Sequence, residues 1–220
     1  MNRLTQSFFL FLFASFLFAS CEKELCEPKE ETLTLIPHHN PTEVHIFGGA
    51  KTNLADPNAP ELLGGAGTYY GEPVWIRGLV QFDLSEIPED AAIISAKLTL
   101  YSNPTPINGQ GPQPVANSGV DNTLLIQRIT SPWEATSATW KNQPTATEIN
   151  QVVVPHTEAD FLDLIDLDVT NLVRSMAVVN ENNGFLIRLK NENAYTYRTF
   201  CSSKYADDTK HPKLVITYRE

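Results

Sequence analysis

Residues 77–101, RGLVQFDLSEIPEDAAIISAKLTLY, constrain the fold of this chain more than any other stretch. Read with the residues just before it, the stretch places Ile76, Gly78, Val80, Phe82 and Leu84 on one side and Trp75, Arg77, Leu79, Gln81 and Asp83 on the other. That period of two belongs to a half-buried strand. The Pro- and acid-containing turn at residues 87–90 cannot continue a strand. After it, Ile94, Ala96, Leu98 and Leu100 again share a face, with Ser95, Lys97, Thr99 and Tyr101 on the other. Two neighbouring core strands are expected, with Phe82, Leu98 and Leu100 in the shared core.

The rest of the chain reads mostly as strand and turn. Residues 43–47, 124–129, 152–154, 161–167, 184–190 and 213–219 have the short apolar or alternating form of strands. One short helix is expected after Asp168, because Val169, Leu172, Val173 and Met176 recur at i, i+3, i+4 and i+7 and the ENNG run follows. Residues 102–123, rich in Pro, Gly and Asn, form a long loop. The fold class is therefore all-β.

Several motifs also carry a family resemblance. The order Arg77, apolar residues, FDLS, IP and SAKLTLY resembles the central signature of the DNRLRE domain, a jelly-roll β-sandwich of bacterial surface proteins. WEATSATWKNQP from Trp133, DVT at residues 168–170, TFCSS from Thr199 and PKLVITY from Pro212 resemble later parts of the same pattern, in the same order. The resemblance implies an antiparallel jelly-roll β-sandwich with one short helix over residues 43–220. It also implies that Trp133 and Trp140 pack in the core. Some members of that family are similar to carbohydrate-binding module family 96, associated with alginate lyases.

The N-terminus reads as a processing segment. Arg3 supplies the positive charge, residues 8–18 are an apolar run too short to span a membrane, and Ala19, Ser20 and Cys21 follow. This resembles a bacterial lipoprotein signal over residues 1–20, with Cys21 as the lipidated first residue; the alternative is an ordinary secretory signal. Residues 21–42 then read as a charged tether, and the acids behind Cys21 resemble a surface-export signal. The expected location is the outer membrane, with the domain surface-exposed or facing the periplasm.

Charge narrows the partners. Beyond residue 20 the chain has 15 basic and 26 acidic residues, so nucleic acid, which needs clustered Lys and Arg, is excluded as a partner. Cys26 and Cys201 remain as thiols, one in the tether and one in a strand, and are not expected to pair. No G-x-S-x-G, H-E-x-x-H, phosphate loop or dinucleotide fingerprint is present.

Three functions stay open on this reading: a glycan-binding lipoprotein without catalysis, an adhesive or structural protein that binds other envelope proteins, and a hydrolase with two dispersed carboxylates. For the first, Trp75, Arg77 and Gln81 on one strand and Lys97 and Tyr101 on the next form one aromatic and basic patch if the strands share a sheet, walled by Tyr69 and Tyr70. The alternative is that Trp75 packs under the long loop after Tyr101 and Arg77 pairs with an acid. Asp56, Asn58, Asp121, Asp207 and Asp208 are oxygen ligands for a structural Ca²⁺ or plain turn residues. His38, His39 and His45 invite a metal reading, but no Cys or carboxylate follows at ligand spacing and the His38–His39 pair before a turn reads as solvated; Asp163, Asp166 and Asp168 read as structural acids.

Overall fold

The computed structural model describes residues 29–37, 42–107 and 114–220. The elements run β1 (Glu30–Leu35), β2 (Glu43–Phe47), β3 (Ala55–Asp56), β4 (Glu61–Tyr69), β5 (Glu72–Val80), β6 (Ala92–Leu100), β7 (Asn117–Ser118), β8 (Leu124–Ile129), β9 (Ala146–Val154), β10 (Leu164–Asp168), α1 (Thr170–Val179), β11 (Phe185–Leu189), β12 (Thr196–Cys201) and β13 (Lys213–Arg219). One sheet has the order β1-β13-β6-β10, and the larger has β7-β12-β4-β5-β11-β8-β9 with β2 and β3 joined at β5. Every pairing is antiparallel. The protein is a β-sandwich.

Alternation places the main core between the sheets. Val80 and Phe82, Phe185 and Ile187, and Leu124 and Ile126 from the larger sheet meet Ala96, Leu98, Leu100, Leu214 and Ile216 from the smaller. Phe82, Leu98 and Leu100 are all buried in this core, as the sequence leads one to expect. The next residues along the strands face outward, yet several are also buried. Leu79 and Leu186 pack with Val44, Ile46, Ile129, Ala135 and Ala138, and Trp133 and Trp140 close over them. Segment 133–142 thus covers the outer face of the larger sheet, and both Trp residues have packing roles.

Four expectations are corrected. The two strands of residues 72–100 are not neighbours in one sheet: β5 lies in the larger sheet and β6 in the smaller, so they meet only across the core. Within β6 the alternation slips, because the pairing with β13 shifts between Thr217 and Tyr218. Ile93 is therefore 7% exposed and Ile94 37%, the reverse of a strict period of two. Residues expected as tether begin the domain early, since β1 pairs in register with β13 from Glu30↔Arg219 to Leu35↔Leu214. A free tether cannot include them. The strand expected at 161–167 is confined to residues 164–168.

The helix is amphipathic as expected, burying Thr170, Leu172, Val173 and Met176. Its cap lies one residue later than expected, at Val169, but the Asp168 carboxylate still accepts the Thr170 backbone N–H at 3.0 Å. Asn180, left-handed at φ 50°, ends it.

Candidate functional site

The β4–β5 hairpin is closed by two residues, Tyr70 and Gly71, with φ of 50° and 86°. Both lie in the left-handed region that a two-residue turn of this hand requires. Asn-Gly is the usual solution, because a bulky residue with a positive φ is strained. Here the position holds a Tyr whose side chain is 91% exposed. Tyr69 beside it is 43% exposed, and the rings lie edge to face with centroids 4.5 Å apart.

A second Tyr repeats the arrangement. Tyr195, just before β12, has φ 64° and is 51% exposed. Its hydroxyl lies 3.2 Å from the Thr68 hydroxyl, which ties the two loops together. Beside the hairpin lies a cleft of about 170 Å³ lined by Phe47, Lys51, Gly67, Thr68, Tyr69, Val74, Ile76 and Tyr197. Gly67 is required, because a Cβ there would stand 2.2 Å from the Tyr197 hydroxyl. Lys51, at the end of the short turn after β2, holds its ammonium 4.3 Å from the centre of the Tyr69 ring and 5.6 Å from that of Phe47. It forms no ion pair among the described residues.

The arrangement joins flat aromatic faces, hydroxyls and one unpaired cation at the rim of an apolar floor. Such a surface can stack on the apolar side of a sugar ring and hydrogen-bond its hydroxyls. It contains no carboxylate, so the acid–base pair of a glycosidase is missing from this cleft.

The other residues expected at the site are placed elsewhere. Trp75 is half-buried and stacks on Trp140, with centroids 6.0 Å apart and planes inclined 25°. It lies under segment 133–142, and residues 108–113 of the loop after Tyr101 lie outside the described residues. Arg77 donates to Glu192 at 2.7 and 2.9 Å and to Gln143 at 2.9 Å, and lies 4.2 Å over the Trp140 ring. Gln81 donates to the Asn182 carbonyl. On the other sheet Lys97 pairs with Asp168 at 2.8 Å, and that charge-assisted bond holds the Asp168 carboxyl well below the usual range. Tyr101 is half-buried, with the Lys210 and Lys213 ammonium groups 5.9 and 5.7 Å from its ring centre. The single patch expected from Trp75, Arg77, Gln81, Lys97 and Tyr101 does not form, because its halves belong to different sheets.

Of the predicted set, Tyr69 lines the cleft, and Tyr70 stands against it at the tip of the hairpin, outside the lining. Phe47, Lys51, Thr68, Tyr195 and Tyr197 were missed. A two-residue YG loop between strands and the alternating AYTYR run were the signals available for them.

The acids proposed for Ca²⁺ do not gather. Asp56 accepts the Asn58 N–H, Asp121 accepts Thr123 and Asn191, and Asp207 accepts the N–H and hydroxyl of Thr209. All but the long-range Asn191 contact are turn bonds. Among the described residues no three His, Cys, Asp or Glu side chains are grouped to hold a metal ion. His45 is buried on β2, and burial pulls its pKa down to about 4. Asp163 accepts the Ser102 N–H, which agrees with a structural role. Cys201 is buried, and its thiol is pushed up to about 11 by that burial. Cys21, Cys26, His38 and His39 lie outside the described residues.

No curated protein matches the chain. A family model does: carbohydrate-binding module family 96 matches residues 72–218, about two thirds of the sequence. The match begins at the first residue of β5, so Phe47, Lys51, Tyr69 and Tyr70 precede it, while Val74, Ile76, Tyr195 and Tyr197 fall within it. With a β-sandwich and the family motifs in order over that range, the chain belongs to carbohydrate-binding module family 96.

Proposed function

We propose that this protein is a non-catalytic, lipid-anchored glycan-binding module that holds its sugar chain in the tyrosine-lined cleft at the β4–β5 hairpin. The observation that carries the reading is Tyr70. A strained backbone at a turn where Asn is the easier residue, bearing a ring 91% exposed, is retained where the ring has work to do in solvent. Tyr195 repeats the combination of a positive φ and an exposed ring, with its hydroxyl 3.2 Å from that of Thr68. Family membership supplies the ligand class, and the absence of carboxylates from the cleft lining favours retention of the sugar over its cleavage.

Cys21 supplies the anchor in this reading, with residues 22–28 as the tether and the domain starting at β1 on the outer membrane. No helix among the described residues is long and apolar enough to cross a membrane. A glycan array probed with the protein tests the ligand class: retention of one polysaccharide type is expected, and silence across the array contradicts the proposal.

A further inference from the structure

A second cleft opens on the outer face of the larger sheet. It has a volume of about 340 Å³ and is walled by Arg77 and Gln143 at one end and Arg188 and Glu148 at the other, with Gln127 and Leu186 beneath. Its polar groups are ordered before any ligand arrives. Arg188 Nε donates to Gln127 Oε1 at 3.2 Å, Gln127 Nε2 donates to Gln151 Oε1 at 2.7 Å, and Arg188 Nη1 donates to the Leu189 carbonyl at 3.1 Å. Gln127 is 4% exposed, so the amide that fixes the guanidinium is itself fixed.

Two groups are left over. Among the described residues Arg188 has no carboxylate partner and its Nη2 no bond, and the exposed Glu148 carboxylate has no partner. In a chain of net charge −10, Arg188 remains unpaired although Glu148 lines the same cleft. Arg77, by contrast, has its guanidinium filled by Glu192 and Gln143 and serves as a wall.

The register sets the spacing. Gln127 on β8 is opposite Leu186 on β11, and Arg128 beside it is opposite Thr147 on β9. Arg188 and Glu148 therefore rise from strands on either side of β8, Arg188 level with Leu125 and Glu148 in the register shift beside Gln127. Both side chains are long enough to reach over Gln127 toward each other. A guanidinium donor held by Gln127 and a carboxylate acceptor lining the same cleft suit adjacent hydroxyl groups of a neutral sugar ring. One hydroxyl donates to Glu148, and its neighbour accepts from Arg188.

We infer that this cleft is a second saccharide subsite, which recognises the vicinal hydroxyls of a neutral sugar through Glu148 and Arg188 oriented by Gln127. The inference rests on the glycan-binding reading above but not on the tyrosine cleft, which lies on the opposite side of β5, where Ile76 alternates with Arg77. With two subsites on different faces, the protein can hold two segments of polysaccharide at once.

The test is affinity electrophoresis of the protein in gels containing galactomannan, xyloglucan or mixed-linkage β-glucan. Wild type, Glu148→Gln, Arg188→Gln and Tyr69→Ala/Tyr70→Ala are compared, each checked for an unchanged melting temperature. Glu148→Gln and Arg188→Gln are each expected to weaken retention about tenfold, the loss of one charge-assisted bond, and the tyrosine pair to weaken it separately. Because Glu148 is exposed, its variant keeps the fold if Arg188→Gln does not. Full retention by Glu148→Gln while the tyrosine variant is released overturns the subsite and leaves the proposed function standing. Wild type unretarded in every gel overturns the neutral-sugar subsite, whereas the proposed function falls only with silence across the glycan array.

Discussion

Arg77 donates to both oxygens of Glu192, at 2.7 and 2.9 Å, and so fastens β5 to the loop that leads to Tyr195. Both side chains are less than one-fifth exposed. Arg77→Ala leaves a partly buried carboxylate without its partner, and a loss of about 2–4 kcal/mol in urea unfolding is expected. Arg77→Lys should recover only part of it, because an ammonium cannot form the two parallel bonds and stacks less well on Trp140. A loss under about 0.5 kcal/mol for Arg77→Ala contradicts a structural role for the pair.

Core position decides a second comparison. Phe82 is 1% exposed between the sheets, so Phe82→Ala should cost about 3–5 kcal/mol. Lys97→Ala removes only a solvent-exposed ion pair with Asp168 and should cost less than about 1 kcal/mol. Similar losses for the two variants, measured by denaturant unfolding, would place the β5–β6 faces the other way round.

Buried titratable groups on β2 give the protein opposite pH sensitivities. His45 in the folded state titrates at about 4, below its ordinary 6.5, because burial disfavours the imidazolium. The unfolded chain then binds the extra proton first, so the His45 contribution is full above 6.5 and is lost as the pH falls toward 4. Glu43 is shifted upward by burial, so the folded state holds its proton longer than the unfolded chain. Its contribution is present below 4.5 and is lost as the pH rises through its raised pKa. Glu43→Gln keeps an acceptor for the Ser203 N–H and removes the titration. The variant should melt higher than wild type at pH 8, with the advantage gone at pH 4. A lower melting temperature at pH 8 contradicts this account.

Anchoring is tested at the other end of the chain. Two acyl chains suffice for stable membrane attachment, so Cys21→Ser should move the protein to the soluble fraction or stop its maturation. Intact-mass measurement showing an unlipidated mature wild-type protein would remove the anchor from the proposal.

The sandwich was legible because alternation and motif order both point to it: Val80, Phe82, Leu98 and Leu100 face the core as their spacing requires. Sheet membership was not legible, since the turn between β5 and β6 is compatible with a hairpin or with a crossing to the other sheet. That single ambiguity dispersed the patch expected from Trp75, Arg77, Gln81, Lys97 and Tyr101. Trp75 and Arg77 read as exposed because period two makes their face the outer one, and only the tertiary packing of Trp140 covers it. β1 was hidden by its charged neighbours, although EETLTL alternates and pairs with KLVITYR. Lys51 and Tyr195 meet Tyr69 and Thr68 across long sequence separations, which no local pattern encodes.

The central claim is that Tyr70 is retained at a strained turn for binding. Tyr70→Asn tests it most directly, because Asn accepts the left-handed backbone with less strain. The measurement is glycan affinity by isothermal titration beside the melting temperature of the same samples, using the polysaccharide selected on the array. An equal or higher melting temperature together with a loss of about tenfold in affinity is the predicted result, in line with the upper end of the roughly 0.5–1.5 kcal/mol that a stacked aromatic pair contributes beyond its buried area. Unchanged affinity in a protein stabilised by the substitution would contradict it.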